Sequence, residues 1–299
     1  MSEEILINVA PMETRVAVID NGVLQEVYIE RTEKRGLVGN IYKGKVVRVM
    51  PGMQAAFVDI GLERAAFIHA ADIVTLDENG MEHRNLIVPD IRTLVHDGKS
   101  LIVQVIKEPI GTKGARLTTH LSVSSRFLVY MPYTNHIGIS QKIENEAERE
   151  RLLRIVESCL PISNREHAGG FIVRTVAENA LADEIQTDAL FLQKLWGDLK
   201  PELGSFSAPN VIYNDLPLFL RTMRDAVKPG VEKVRIDSRE EYERLLLFAS
   251  DYEPGTRNMI EHYDGERPIF DLYSVEEEIQ KALERRVNLK SGGYLIIDQ

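Results

Sequence analysis

Between Gly36 and Leu121 the chain reads as short strands separated by glycine turns, a density of strands that suggests a small barrel. The runs are IYKGKVVRVM, a Pro51-Gly52 turn, QAAFVDIG, RAAFIHA and, beyond a polar loop, SLIVQVIKEPIGTKGARLTTHLS. Alternation sorts their side chains onto two faces. Ala56, Val58 and Ile60 share one face while Phe57 and Asp59 share the other; in the next run Ala66, Ile68 and Ala70 oppose Phe67 and His69. If the aliphatic sets fill the barrel, both phenylalanines stand on its outer face. Exposed rings there suit base stacking, worth about 1–3 kcal/mol per base. The inverse register buries both rings, and alternation alone does not choose between the two.

The flanks follow other rules. ILINVA, RVAVID and VLQEVYIE read as strands, and Asn21-Gly22 between the last two marks a hairpin turn whose central positions both need positive φ. From FLVYMP onward, strands alternate with helices. ENEAERERLLRIVESCL and ALADEIQTDALFLQKLWGDL carry helical spacing and GGFIVRT is a strand, so roughly residues 123–217 form an α+β unit with Trp196 expected in its core. Further on, Ser238 with Glu241 and Ser274 with Glu277 fit the Ser-x-x-Glu capping box at two helix starts. In the second of these helices Val275, Ile279, Leu283 and Val287 recur every four residues and are expected to form a buried stripe. YLIID, after Ser291-Gly292-Gly293, reads as a strand without a following partner. The expectation is a sequence truncated relative to its functional unit.

Composition narrows the function classes. A chain of 299 residues can bury two or three cores. No apolar run approaches bilayer length, and MSEEILINVA lacks the basic and apolar regions of a signal, so a cytoplasmic protein with no membrane partner is expected. Cys159, alone in RIVESCL, can form neither an internal disulfide nor a Cys-x-x-Cys clamp and is expected to be a buried structural thiol. The net charge of −10 argues against unselective coating of nucleic acid. Its distribution argues otherwise locally. Between residues 31 and 50, Arg31, Lys34, Arg35, Lys43, Lys45 and Arg48 stand against Glu33 alone, and the loop KEPIGTKGAR adds Lys107, Lys113 and Arg116 around Gly111 and Gly114. Either run alone reads as solvated surface; together with stacking rings they favour single-stranded nucleic acid.

The run VGNIYKGKVVRVMPGMQAAFVDIGLERAAFIHAADI resembles the RNA-binding barrel of the ribonuclease G/E family. The likeness extends along essentially the whole chain, through GTKGARLTTHLSVSSRFLVYMP, GGFIVRT and RVNLKSGGYLIID, and covers the amino-terminal part of such a protein. It implies an α+β multidomain fold: an RNase H-like domain, without RNase H activity, split by an inserted OB-type RNA-binding β-barrel and an α+β 5′-phosphate sensor domain. Carried over, residues 1–35 and 218–283 form the split domain, 36–122 the barrel, 123–217 the sensor, and 284–299 the start of a truncated DNase I-like catalytic domain. The resemblance selects the outer-face register, with Phe57 and Phe67 as stacking aromatics, and matches Lys107 and Lys113 to basic positions near the RNA path. Arg174 and Thr175 match the pocket for a 5′-monophosphate, with Val129 beneath the terminal base. A guanidinium fork and a hydroxyl suit one terminal phosphate. Without the resemblance, Arg174 reads as a strand-end charge in a surface ion pair. Ser125 stands where the family usually has a small residue near the nucleotide, its role open.

The implied activity is cleavage of single-stranded RNA bearing a 5′-monophosphate, in ribosomal RNA processing and messenger RNA decay. Family carboxylates hold Mg²⁺, which activates water and stabilises charge at the phosphate. They follow the strand matching YLIID, so this chain is expected to hold no catalytic residue and no metal ligand. Asp298 precedes that motif. The family's cysteine pair, which shares zinc between subunits, is likewise missing, so a homo-oligomer is implied for the complete protein and left open for this chain. Two alternatives stand beside the nuclease: a non-catalytic module that grips RNA ends, and a general RNA-binding barrel protein without phosphate sensing.

Overall fold

The computed structural model describes residues 2–298 except 34, 78–80, 83–87, 161–168, 228–229, 253 and 290. The chain divides into two compact units, one made of Met1–Arg35 with Leu216–Gln299 and the other of Gly36–Asp215. The first unit begins with an antiparallel meander of β1 (Glu3–Val9), β2 (Glu13–Asp20) and β3 (Val23–Arg31). At the β2–β3 turn Asn21 and Gly22 have φ of 49° and 77°, the left-handed pair that a tight hairpin requires.

The second unit opens with β4 (Ile41–Met50), β5 (Ala55–Asp59) and β6 (Ala66–His69), then a single helical turn α1 (Ile91–Leu94), β7 (Ser100–Lys107) and β8 (Arg116–Thr118). The order β4–β5–β6–β8–β7 closes through a β7–β4 pairing into a five-stranded barrel. Val46, Ala56, Val58, Ile68, Val103 and Leu117 fill it. At Gly44 a Cβ would lie 2.5 Å from Val58 Cγ1, so the barrel can be this narrow only with glycine there.

Beyond the barrel come β9 (Val123–Ser124), β10 (Leu128–Met131), β11 (Ile137–Ile139), α2 (Glu146–Cys159), β12 (Gly170–Val173), α3 (Ala182–Leu199), a short α4 (Glu202–Ser205) and β13 (Asn210–Tyr213). Four of the strands form a sheet in the order β11–β12–β10–β9, while β13 pairs with β4 outside the barrel circuit. Leu152 and Val156 of α2 and Ile185 and Leu192 of α3 share one core with Phe171 of β12. Trp196 is buried in this core, edge-on to Tyr133 at 6.0 Å. Cys159 is only half-buried; its thiol donates to the Ile155 carbonyl at 3.2 Å, and burial pushes it up from the usual cysteine value.

The first unit resumes with α5 (Leu218–Ala226), β14 (Val231–Ile236), α6 (Arg239–Tyr252), β15 (Ile260–His262), α7 (Val275–Ala282) and a hairpin of β16 (Arg286–Asn288) and β17 (Tyr294–Ile296). Its sheet runs β3–β2–β1–β14–β15, with β14 parallel to β1 and β15 parallel to β14. Both faces are covered. Ile5 and Ile7 pack against Phe219, Met223 and Leu245, while Leu6 between them packs against Phe270 and Val275, which is why β1 is apolar at successive positions.

Two local expectations fail at α7. Ser274 sits in a left-handed conformation (φ 53°) and makes no side-chain cap, whereas Ser238 does accept the Glu241 N–H at 3.4 Å. The expected stripe also stops early. Val275 and Ile279 are packed, but the helix ends at Ala282, Leu283 is 75% exposed, and Val287 belongs to β16. Four-residue spacing fits a helix of any length; here the Leu283 N–H bonds back to Gln280 and the chain turns into the β16–β17 pairing instead.

Candidate nucleic-acid interface

Alternation holds on β5 and β6. Ala56, Val58, Ala66 and Ile68 are fully buried, while Phe57, Asp59, Phe67 and His69 lie partly exposed on the outer face. Phe57 and Phe67 are direct cross-strand partners with ring centroids 6.4 Å apart, inclined at 61°. The row continues in both directions. Arg48 of β4 stands opposite Phe57, Arg116 of β8 opposite Phe67, and Lys107 of β7 opposite Arg116. A bulge in β4, between Val46 and Arg48, and another in β7, between Val105 and Lys107, set this register. In each the unpaired extra residue is apolar, Val47 or Ile106, and the bulge brings the following cation into line. Two partly exposed rings are thereby flanked by cations at both ends. Arg116 is tethered by Asp72, whose Oδ2 accepts from Nη2 at 3.0 Å and from Nε at 3.2 Å.

Lys113 lies outside this row. It closes a turn with Ile110 through two main-chain hydrogen bonds of 3.0 and 3.2 Å, and Arg64 donates to the Gly111 carbonyl, so the cationic loop is tied down at its tip. The charge run of residues 31–50 is divided between the two units. Arg31 and Arg35 approach Glu13 and Glu30, Lys43 donates to the Leu203 carbonyl, and Lys45 faces Asp59; Lys34 lies outside the described residues. Arg48 is the member that falls in register with the rings. The doublets Val46-Val47-Arg48 and Val105-Ile106-Lys107, two aliphatics followed by a cation, break alternation in the sequence and were the signal for both bulges.

A second constellation surrounds the end of β12. Arg174 Nη1 donates to the carbonyls of Ser125 (2.6 Å) and Arg126 (3.1 Å), and the Arg174 N–H donates to the Phe127 carbonyl at 2.8 Å. Its Nη1 is thus committed to main-chain oxygens of the 125–126 segment. Thr175 follows at the start of a single 3₁₀ turn, with its Oγ1 2.8 Å from Ser140 Oγ. Val129 pairs across to Ile172, and both side chains are partly exposed on the face opposite the buried Leu128, Phe171 and Val173.

Ser125 is buried, and its hydroxyl donates to Asp188 Oδ2 at 2.6 Å. The same oxygen accepts the N–H groups of Phe127 (2.9 Å) and Leu128 (3.0 Å). Sequence reasoning passed over Asp188. Its signal was a carboxylate within IQTDAL, directly beside the buried stripe of Ile185, Ala189 and Leu192. Burial raises the Asp188 carboxyl above the ordinary aspartate value, while its hydrogen bonds pull the other way. The folded state therefore binds this proton more tightly than the unfolded one. The associated stability is complete below the unfolded value and is lost as pH rises through the folded one. As pH rises above the ordinary aspartate range of about 4, the unfolding free energy of Asp188→Asn should therefore gain on that of wild type, as urea titrations at each pH would show.

Asp298 is exposed beyond β17, paired with Arg285 Nε at 2.7 Å. Among the described residues no three His, Cys, Asp or Glu side chains gather to hold a metal ion, and no helix is long and apolar enough to cross a membrane.

Comparison with known proteins follows the same division. Residues 37–119, which contain the barrel, match the S1 RNA binding domain, and residues 122–299 match the Ribonuclease E/G family. The chain is 52% identical over 302 residues to ribonuclease G of Salmonella typhimurium (strain SL1344), covering 100% of this chain and 60% of that protein. With ribonuclease G of Haemophilus influenzae it shares 49% over 300 residues (99% and 60%), and with a putative ribonuclease E of Buchnera aphidicola 34% over 292 (95% and 68%). It spans about 60% of the length of the ribonuclease G relatives. An S1 barrel carrying a ring-and-cation row is followed by residues 122–299, more than half of the chain, that match one ribonuclease family model, and a relative 34% identical is covered over 68% of its length: the chain belongs to the ribonuclease E/G family.

Proposed function

We propose that this chain grips single-stranded RNA along the ring-and-cation row of its barrel and reads a 5′-monophosphate at Arg174 and Thr175, serving a Mg²⁺-dependent endoribonuclease. The complete protein would act in the cytoplasm on ribosomal RNA precursors and messenger RNA, as a homo-oligomer. The observation that carries the reading is the row itself, in which Arg48, Phe57, Phe67, Arg116 and Lys107 follow one another across five strands. Stacking tolerates any base, and flanking cations track the backbone of an unpaired strand. Lys113, exposed at the tip of the neighbouring turn, extends the positive path.

The domain reading is proposed with it. The strand order β3–β2–β1–β14–β15, with helices after β3, β14 and β15, supports an RNase H-like domain built from residues 1–35 and 218–283. Residues 36–122 are the OB-type barrel, 123–217 the 5′ sensor with Val129 under the terminal base, and 284–299 the first hairpin of a DNase I-like domain.

Arg174→Ala tests the sensor. Charge-assisted bonds to one phosphate contribute about 1.5–3 kcal/mol, so wild type should prefer a 5′-phosphorylated oligonucleotide to its 5′-hydroxyl twin by about tenfold or more. In fluorescence anisotropy the variant should bind both alike. Equal affinities in wild type would favour a general RNA-binding barrel without phosphate sensing. On the same reading, the chain incubated with Mg²⁺ and a labelled 5′-monophosphorylated oligonucleotide should bind and not cut; cleavage would overturn the placing of the metal carboxylates outside these residues.

A further inference from the structure

Arg174 and Asp188 hold the same short loop from opposite sides. Arg174 takes the carbonyls of Ser125 and Arg126, and Asp188 takes the N–H of Phe127, with that of Arg126 contributing. The Arg126 carbonyl and the Phe127 N–H belong to one peptide unit, and in a trans peptide these groups point in opposite directions. The unit is therefore clamped between a guanidinium and a carboxylate. Leu128 N–H and the Ser125 hydroxyl converge on the same Asp188 oxygen, at 3.0 and 2.6 Å. Three donors on one oxygen fix the loop from beneath, and α3, buried through Ile185, Ala189 and Leu192, fixes the oxygen.

We propose that Asp188 is a positioning residue for Arg174: by holding the 125–128 loop, it sets the carbonyl oxygens that aim the guanidinium at a terminal RNA phosphate. The proposal rests on the reading of Arg174 as the phosphate contact. It assigns Ser125 a part as well, since the hydroxyl helps to hold the loop and does not face the nucleotide. The work is done by one oxygen at one place. An asparagine, which also offers one acceptor oxygen there, keeps the clamp; a glutamate, which keeps the charge but shifts the oxygen by a methylene, does not.

The test uses the full chain and two RNA oligonucleotides differing only in a 5′-phosphate or a 5′-hydroxyl. In Asp188→Ala the preference for phosphate should fall by about tenfold, while affinity for the hydroxyl-ended strand, carried by the barrel, stays at the wild-type level. Asp188→Asn should remain within about threefold of wild type, and Asp188→Glu should behave like alanine. Should the alanine variant fail to fold, the contrast between Asn and Glu decides. Preference retained in Ala or Glu would overturn the proposal. A second readout separates it from the sensor reading. Hindered rotation of the Arg174 guanidinium, seen as distinct ¹⁵Nη NMR signals, should be lost in Asp188→Ala and kept in Asp188→Asn whether or not RNA is present. If wild type ignores the 5′ phosphate, phosphate sensing falls. Signals that still respond in this pattern would uphold Asp188 as the residue that orients Arg174, and unchanged signals would overturn it.

Discussion

Removing both rings, Phe57→Ala with Phe67→Ala, is expected to abolish most single-stranded RNA binding. Each ring offers a stacking platform worth about 1–3 kcal/mol, so either single variant should weaken binding by about tenfold to a hundredfold. The double variant should not lose the full sum. The rings touch edge-on at 6.4 Å, so each orients its neighbour, and removal of the first already loosens the second. A coupling of about 0.5–1.5 kcal/mol in the double-mutant cycle would report that contact. Stability gives the necessary contrast. The barrel interior is filled by Ala56, Val58, Ala66 and Ile68, not by these rings, so thermal unfolding should shift little while affinity collapses. A large drop in melting temperature with proportionate loss of binding would place the rings in the core and sink the stacking role.

That contrast was open in the sequence, where strand alternation allowed either register, and the burial of the alanine and aliphatic set decides it. Period-two and helical patterns made most elements legible, as did the Asn21-Gly22 turn. What they could not carry was long-range geometry. A bulge shifts register by one residue, and only the pairing partner shows which residue is the extra one. Arg48 therefore reads as one charge in a run and Arg116 as part of a loop, although the fold sets both in the aromatic row. Asp188 was hidden for a related reason: its donors on the 125–128 loop lie some sixty residues away along the chain. At α7 periodicity overreached, because equal spacing of Val275, Ile279, Leu283 and Val287 says nothing about where a helix gives way to a hairpin.

Gly114→Ala should be the most damaging single methyl in the barrel. The glycine precedes β8 where that strand closes on β6, and an added Cβ would lie 2.1 Å from the Ala65 carbonyl oxygen and 3.2 Å from the Ala66 Cα. These are backbone atoms, which cannot swing aside as a side chain can. Relief requires β6 and β8 to part, breaking the bond from the Phe67 N–H to the Ala115 carbonyl and the pairing of Phe67 with Arg116. Overpacking costs about 1–3 kcal/mol and occasionally more, and here it falls against backbone on the β6–β8 seam of the barrel. The functional consequence differs in kind from that of Arg174→Ala. Parting this seam separates Phe67 from Arg116 and Lys107, so binding should fall for phosphate-ended and hydroxyl-ended RNA alike, together with thermal stability. Arg174→Ala should erase the difference between the two ends and leave the hydroxyl-ended affinity intact. Measured side by side, the two variants distinguish a grip on the strand from a grip on its end; if Gly114→Ala proved as stable as wild type, the close approach of β8 to β6 would be wrong, and the ring-and-cation row with it.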